Sequence, residues 1–359
     1  MSLPNTDFIQ AVRTTCKQVV DKSPVKVSEQ GVKDFLTKLE KPSYEELAID
    51  TPIRMPLKFS TLAEEVNFVA VIDLLNFGSG YRVPLHELAG RGAFDVIRFG
   101  VMSFHVGGTP MTAEKFKTID IFDVASIFQL PIEKEVPVKE DMPFMTTNQA
   151  TAVKPFAQGI VDVLNSTGNF LVDHGYKDLA AFIMDITQTQ ITASGSPTAS
   201  HLVEKLVRAL PGLQDLSVTP DGDTVYLFKK AQILVYHLWF LFHDQDPDHF
   251  GYTDIDQLTI FSDNVIPTML IHLGVLVIPD AWQQDLDTNQ DVGEYKAYIM
   301  RAASVVACEE IVKLSRSDQP IGPVHNMTEG ALDVYLWRLG KVGDYRKVPR
   351  MEWRDTVMF

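Results

Sequence analysis

The chain has 359 residues, 45% hydrophobic and 22% charged, a balance that supports a sizeable soluble core and excludes collagen-like, low-complexity and broadly disordered classes. Its formal charge of −15 comes without a Lys/Arg block of five or more, which argues against a long polyanion as partner and against direct nucleic-acid binding. A small anion, held by one or two well-placed cations, stays compatible with that balance.

Two cysteines, Cys16 and Cys308, stand far apart and outside any CxxC spacing, so neither a disulfide framework nor a zinc knuckle is expected. The start, MSLPNTDFIQ, carries no apolar signal core, and the most apolar windows (66–77 and 231–242) are too short and interrupted to span a bilayer. A cytoplasmic protein in a reducing compartment, or a nuclear one, is the expectation, with no membrane partner.

Apolar residues recur at helical spacing over 8–20 and again over 31–40. Residues 41–60, with Pro42, Pro52 and Pro56, read as an extended connector. VNFVAVIDLLNF (66–77) predicts a buried helix ending at Gly78-Ser79-Gly80, and 78–111 reads as glycine-rich loop. Thr112 is placed to cap a helix over 112–130 that stops at Pro131, and the acidic run 132–144 reads as a surface loop. Further helices are predicted over 150–174, 178–190, 197–210, 229–243, 254–275, 291–315 and 328–340, with a short strand at 223–228. The expectation is a mainly α fold with a few short strands. Residues 1–60 form N-terminal helices and a connector packed on the main domain, and 61–359 form a single helical domain.

Metal motifs fail on spacing. DQDPDHFGYTD (244–254) and DTNQDVGE (287–294) have calcium-loop aspartates but no glycine at the sharp turn, and HExxH is absent. No GxSxG, P-loop or GxGxxG occurs. What stands out instead is LTIFSDNVIPTML (258–270), where Asp263 lies inside an apolar run. Pro267, four residues on, has no N–H for the Asp263 carbonyl, so the predicted helix is interrupted beside the carboxylate. An ionised carboxylate held among apolar residues costs several kcal/mol unless paired or hydrogen-bonded. Asp263 therefore either faces water, caps a helix or is a working acid.

VNFVAVIDLLNF, VYLFKKAQILV, LTIFSDNVIPTMLIHLGVL and DVYLWRLG, with VPRMEWR near the end, together resemble the queuosine salvage protein family from about residue 60 onward. The resemblance implies a helical fold like that of the helix-hairpin-helix DNA glycosylases. It also implies hydrolysis of the N-glycosidic bond of queuosine 5′-phosphate to release queuine, without metal or cofactor. The family's catalytic aspartate falls on Asp263, with Thr259, Phe261 and Ser262 completing its motif. Its other motifs fall on Lys229-Lys230-Ala231-Gln232, on Asp73, Leu75, Asn76 and Phe77, and on Asp333, Tyr335, Leu336 and Trp337.

Glycosidic cleavage builds positive charge on the ribose, and a fixed carboxylate stabilises it and orients water. A 7-deazapurine lacks N7 as a site of leaving-group activation, which shifts work to the sugar side and Asp263. One of Lys229 and Lys230 is expected to face inward to hold the 5′-phosphate, since adjacent helical residues diverge by about 100°; Arg354 is a second phosphate candidate. Phe77, Phe261 and Tyr335 are candidates to sandwich the base. The chain departs from the family in reading Gly78-Ser79-Gly80-Tyr81 where large aromatics are usual, and Arg338 where an Asp is usual. An Arg338 that lined the pocket would favour the alternative, a modified-nucleotide binding protein without catalysis. A nucleic-acid glycosylase is suggested by fold analogy alone and opposed by the charge.

Overall fold

The computed structural model describes residues 2–49, 53, 55–139 and 144–359. Among these it is mainly α-helical, with three two-stranded antiparallel pairings. The N-terminal part holds α1 (Phe8–Lys22), α2 (Glu29–Lys38) and α3 (Lys41–Leu47). Then follow α4 (Leu62–Leu74), α5 (Arg82–Ala89), α6 (Ala93–Val106), α7 (Ala113–Thr118) and α8 (Ile121–Phe128). The middle of the chain forms α9 (Lys154–Asp173), α10 (Leu179–Ser194), α11 (Ala199–Ala209), α12 (Lys229–Phe242) and α13 (Pro247–Phe250). The last part forms α14 (Val265–His272), α15 (Asp280–Asp287), α16 (Gly293–Ser315) and α17 (Glu329–Leu339). The strands are β1 (Lys26–Val27) with β6 (Leu276–Val277), β2 (Glu133–Pro137) with β3 (Thr146–Ala150), and β4 (Leu216–Val218) with β5 (Thr224–Tyr226).

Two helices organise the interior. α4 is buried continuously from Val66 to Leu74, as a helix apolar on all sides must be, and packs on α12, α10 and α6. Its one central amide, Asn67, donates to the Met111 carbonyl and accepts from the Ala180 N–H. α16 runs beneath α1, α14, α17 and α2 and buries Ala297 to Ala303 without a break. The carbonyl end of α4 meets the start of α12. There Lys230 Nζ donates to the Leu74 carbonyl (2.9 Å), the last of the helix, and Lys229 Nζ to that of Asn76 (3.0 Å), just beyond it.

Several of the expected elements differ in the structure. The connector over 41–60 contains α3, started by Pro42 in its first turn, where a missing N–H costs nothing. The loop over 78–111 contains α5 and α6, whose glycines lie at their ends or, for Gly100, against the Phe128 ring where a Cβ would collide. The helix over 112–130 is two helices, because the Asp120 carboxylate accepts the N–H groups of Phe122 and Asp123 and starts α8 afresh. The acidic loop contains β2. The helix predicted over 66–77 ends at Leu74, and the left-handed Gly78 lies beyond it with its N–H on the Phe359 carbonyl.

The segment 254–275 shows the largest difference. It is a 3₁₀ turn at Ile255–Gln257, an extended run over 258–264, and only then α14. Side chains take the backbone groups of the extended run: Thr259 N–H donates to Gln232 Oε1 (2.9 Å), Ile260 N–H to Glu329 Oε2 (3.0 Å) and Phe261 N–H to Asp333 Oδ1 (2.9 Å). A buried backbone satisfied in this way has no need of a helix ladder. Pro267 falls in the first turn of α14, where it is tolerated. Among the described residues no helix is long and apolar enough to cross a membrane.

Candidate functional site

Two chambers meet at Asp263. The inner one, about 560 Å³ including its mouth, lies between α12, α17 and the extended run 258–264. Its walls include the rings of Tyr236, Phe261, Phe94 and Trp337, and its polar groups include Lys229, His237, Asp263 and Asp333. The outer chamber, about 1060 Å³ on the same measure, is lined by Arg82, His86, Lys341, Arg346 and Arg350 among others, with Asp95 as its further acid. Asn76, Phe94, Asp263 and Trp337 belong to both.

The local sequence explains how each group is held. Asp263 ends the extended run, and its Oδ1 accepts the N–H groups of Val265 (2.6 Å) and Ile266 (3.2 Å), capping α14 while the residue lines both chambers. Cap and cavity-lining acid are thus the same group. Asp333 lies one turn after Glu329 on α17, and the two grip successive N–H groups of the extended run. Burial, and then the charge of Asp263, push the Asp333 carboxyl well above the usual carboxylate range. Burial lowers Lys229, against the opposing pull of Asp263. In the outer chamber Arg350 Nη2 donates to the Gly340 and Tyr345 carbonyls, whereas Nη1 has no hydrogen-bond partner among the described residues. Burial brings the Arg350 guanidinium down to about 10.

Of the residues singled out in the sequence, Asn76, Lys229, Phe261, Asp263 and Asp333 line the inner chamber and Phe77 lines the outer one. Trp337 lines both and Arg338 the inner one, whereas Asp73, Lys230, Thr259, Ser262, Tyr335 and Arg354 line neither. Asp73 is fully buried behind the wall, with its carboxylate 2.8 Å from His237 Nδ1, so it reaches the cavity only through that ring. Lys230 turns to the Leu74 carbonyl beneath the Phe77 ring. Thr259 Oγ1 accepts from Gln232 Nε2 (2.8 Å), and Ser262 presents its carbonyl to Arg301. Tyr335 packs away from the cavity against Tyr44, ring centroids 5.1 Å apart and tilted by 43°. Arg354 donates to the Gly80 carbonyl and Glu352, in a separate surface groove beside Tyr298 and Trp353. Arg338 does line the inner chamber, with Nη1 donating to the carbonyls of Glu46, Leu47 and Ile49 at the end of α3.

Sequence reasoning missed His237, Tyr236, Phe94 and the basic group of the outer chamber. Arg82 and His86 come from one stretch of chain and Lys341, Arg346 and Arg350 from another far along it, and no spacing signal links the two. His237 had a local clue, since it follows Lys229 and Lys230 on α12 by two turns.

The family model described as "Queuosine salvage protein" matches residues 57–356. Three curated relatives bear the name queuosine 5′-phosphate N-glycosylase/hydrolase. The one from Schizosaccharomyces pombe is 25% identical over 284 residues, covering 77% of this chain and 75% of its own. That from Sphaerobacter thermophilus is 27% identical over 282 residues, and that from Nematostella vectensis 26% over 300, each covering 77% of this chain and 76% of its own. A match over so much of the chain, joined to a cavity built from the same motifs, settles the membership: the chain belongs to the queuosine salvage protein family.

Proposed function

We propose that the protein hydrolyses the N-glycosidic bond of queuosine 5′-phosphate, with Asp263 as the acting carboxylate. The observation that carries the reading is the meeting of an aromatic, acidic chamber and a basic chamber at that residue. A nucleotide has the matching polarity: a flat base at one end, an anion at the other, and the scissile bond between them. The base stacks among Phe261, Tyr236 and Trp337 in the inner chamber. The 5′-phosphate lies in the outer chamber among Arg82, Arg346, Arg350 and Lys341, which take that role in place of Lys229, Lys230 and Arg354. Asp263 then faces the ribose.

In the reaction a water adds to C1′ as the C1′–N9 bond breaks, giving ribose 5-phosphate and the free base. Asp263 stabilises the positive charge that develops on the sugar and orients that water, whose proton it receives. The departing base gains a proton. Asp333, kept protonated by its burial and its acidic neighbour, is the donor: Oδ1 is taken by the Phe261 N–H, which leaves Oδ2 to carry the hydrogen. Two carboxyls with opposed environments thus divide the acid and base roles. The line taken by Arg338 bears on the alternative of binding without turnover. Its Nη1 is occupied by three carbonyls at and just beyond the end of α3, so the residue acts as a wall at the base end.

The test is incubation with queuosine 5′-phosphate while free queuine is followed. Asp263→Asn is expected to lower turnover by about 100- to 1000-fold. Undiminished turnover in that variant overturns the mechanism, and absence of product from any deazaguanosine nucleotide overturns the substrate.

A further inference from the structure

Two residues that line neither chamber connect two of the ionisable groups of the inner one, Asp263 and Lys229. Arg301, on α16, and Asp215, just before β4, are both fully buried. The guanidinium fork closes on the Asp215 carboxylate, with Nη1 3.0 Å from Oδ1 and Nη2 2.6 Å from Oδ2. Its remaining donor, Nε, reaches the carbonyl of Ser262 at 2.8 Å, one residue before Asp263. On the other side, Asp215 Oδ2 accepts the backbone N–H of Lys229 (3.2 Å), and its own carbonyl accepts those of Leu227 and Phe228. The bridge therefore runs from the backbone that aims Asp263 to the backbone that aims Lys229. The Tyr298 hydroxyl on Asp215 Oδ1 (2.9 Å) and the Phe359 ring 4.1 Å from the guanidinium hold it in place.

A buried ion pair is a poor choice for stability alone, since apolar residues of similar volume in its place are often neutral or stabilising. What a planar, always-charged fork supplies is geometry. We propose that the Arg301–Asp215 pair is the positioning device of the site, fixing the Asp263 carboxylate against the Lys229 ammonium. Neither residue touches the substrate. The inference rests on the proposed hydrolysis, in which small misplacements of the acting carboxylate are costly: an error of about 1 Å can reduce rate by about 100-fold.

The experiment compares kcat, KM and Tm for Arg301→Lys and for the double variant Arg301→Met with Asp215→Leu. Arg301→Lys keeps the charge and loses the fork and the Nε contact. The double variant leaves no uncompensated buried charge, although the Lys229 N–H and the Ser262 carbonyl lose their partners, so Tm is read beside kcat. Both are expected to lose about 10- to 100-fold in kcat, with KM changed by no more than roughly 3-fold. A stable double variant with wild-type kcat overturns the proposal, because the pair would then be structural only. Should the double variant not fold, Arg301→Lys decides: wild-type kcat there overturns it equally. Failure of the functional reading is visible elsewhere, as a wild-type protein that releases no queuine, and the proposal falls with it.

Discussion

Asp263 combines two jobs that substitutions can separate. An asparagine in its place keeps an oxygen that accepts the Val265 and Ile266 N–H groups, so α14 stays capped. Alanine removes the cap as well, at about 1 kcal/mol. Asp263→Asn should therefore lose activity with Tm nearly unchanged, whereas Asp263→Ala should lose both; a thermal melt beside the queuine assay reads the difference. In the outer chamber, Arg82→Met is expected to raise KM for the nucleotide about 10-fold or more, the worth of one hydrogen bond to a charged group. The dephosphorylated nucleoside should show no such change, and an equal effect on both would remove Arg82 from phosphate recognition. Asp263 was legible from its sequence neighbours because an acid in an apolar run must be explained. The arginines of the outer chamber were not, because surface-type cations look alike until the fold gathers them.

At the scale of elements, the extended run 258–264 and α17 act as one unit. Glu329 and Asp333, four residues apart, face the same side of α17 and accept the consecutive N–H groups of Ile260 and Phe261. Glu329 also takes Arg13 from α1 at 2.7 Å. Burial nevertheless raises the Glu329 carboxyl from 4.5 to about 7. With a folded pKa above the unfolded one, the neutral acid is the form favoured by the fold. That contribution is complete below about pH 4.5 and is lost as pH rises through 7, amounting to about 3 kcal/mol. Glu329→Gln should flatten the fall in Tm between pH 5 and 8 relative to wild type, and parallel curves would refute the assignment. Periodicity made α17 readable. It misread 254–275, because apolar residues in a buried extended run satisfy a helical template as well as a helix does.

Across the whole molecule, the region matched to the family begins at residue 57, yet the residues before it cover the core behind the site. Phe8, Val12, Cys16 and Val19 of α1 are buried, and α1 packs on α16, the helix that carries Arg301. β1 pairs with β6, just beyond α14. A chain beginning at residue 57 should accordingly expose an apolar face of α16 and aggregate, which light scattering and a lost cooperative melt would record. A soluble, active truncated chain would show that α1 is dispensable.

The sequence by itself determined the mainly α character, most helix positions, the resemblance to the queuosine salvage family and the choice of Asp263. These follow from local period, capping residues and ordered motifs, all of which act over a few residues. Tertiary structure decided which of two adjacent lysines lines the chamber, that Asp73 reaches it only through His237, and that Tyr335 and Arg354 lie elsewhere. It also decided that Arg301 and Asp215 meet at all. Such contacts join residues tens to hundreds of positions apart, and their geometry is fixed by how helices pack, which no local pattern encodes.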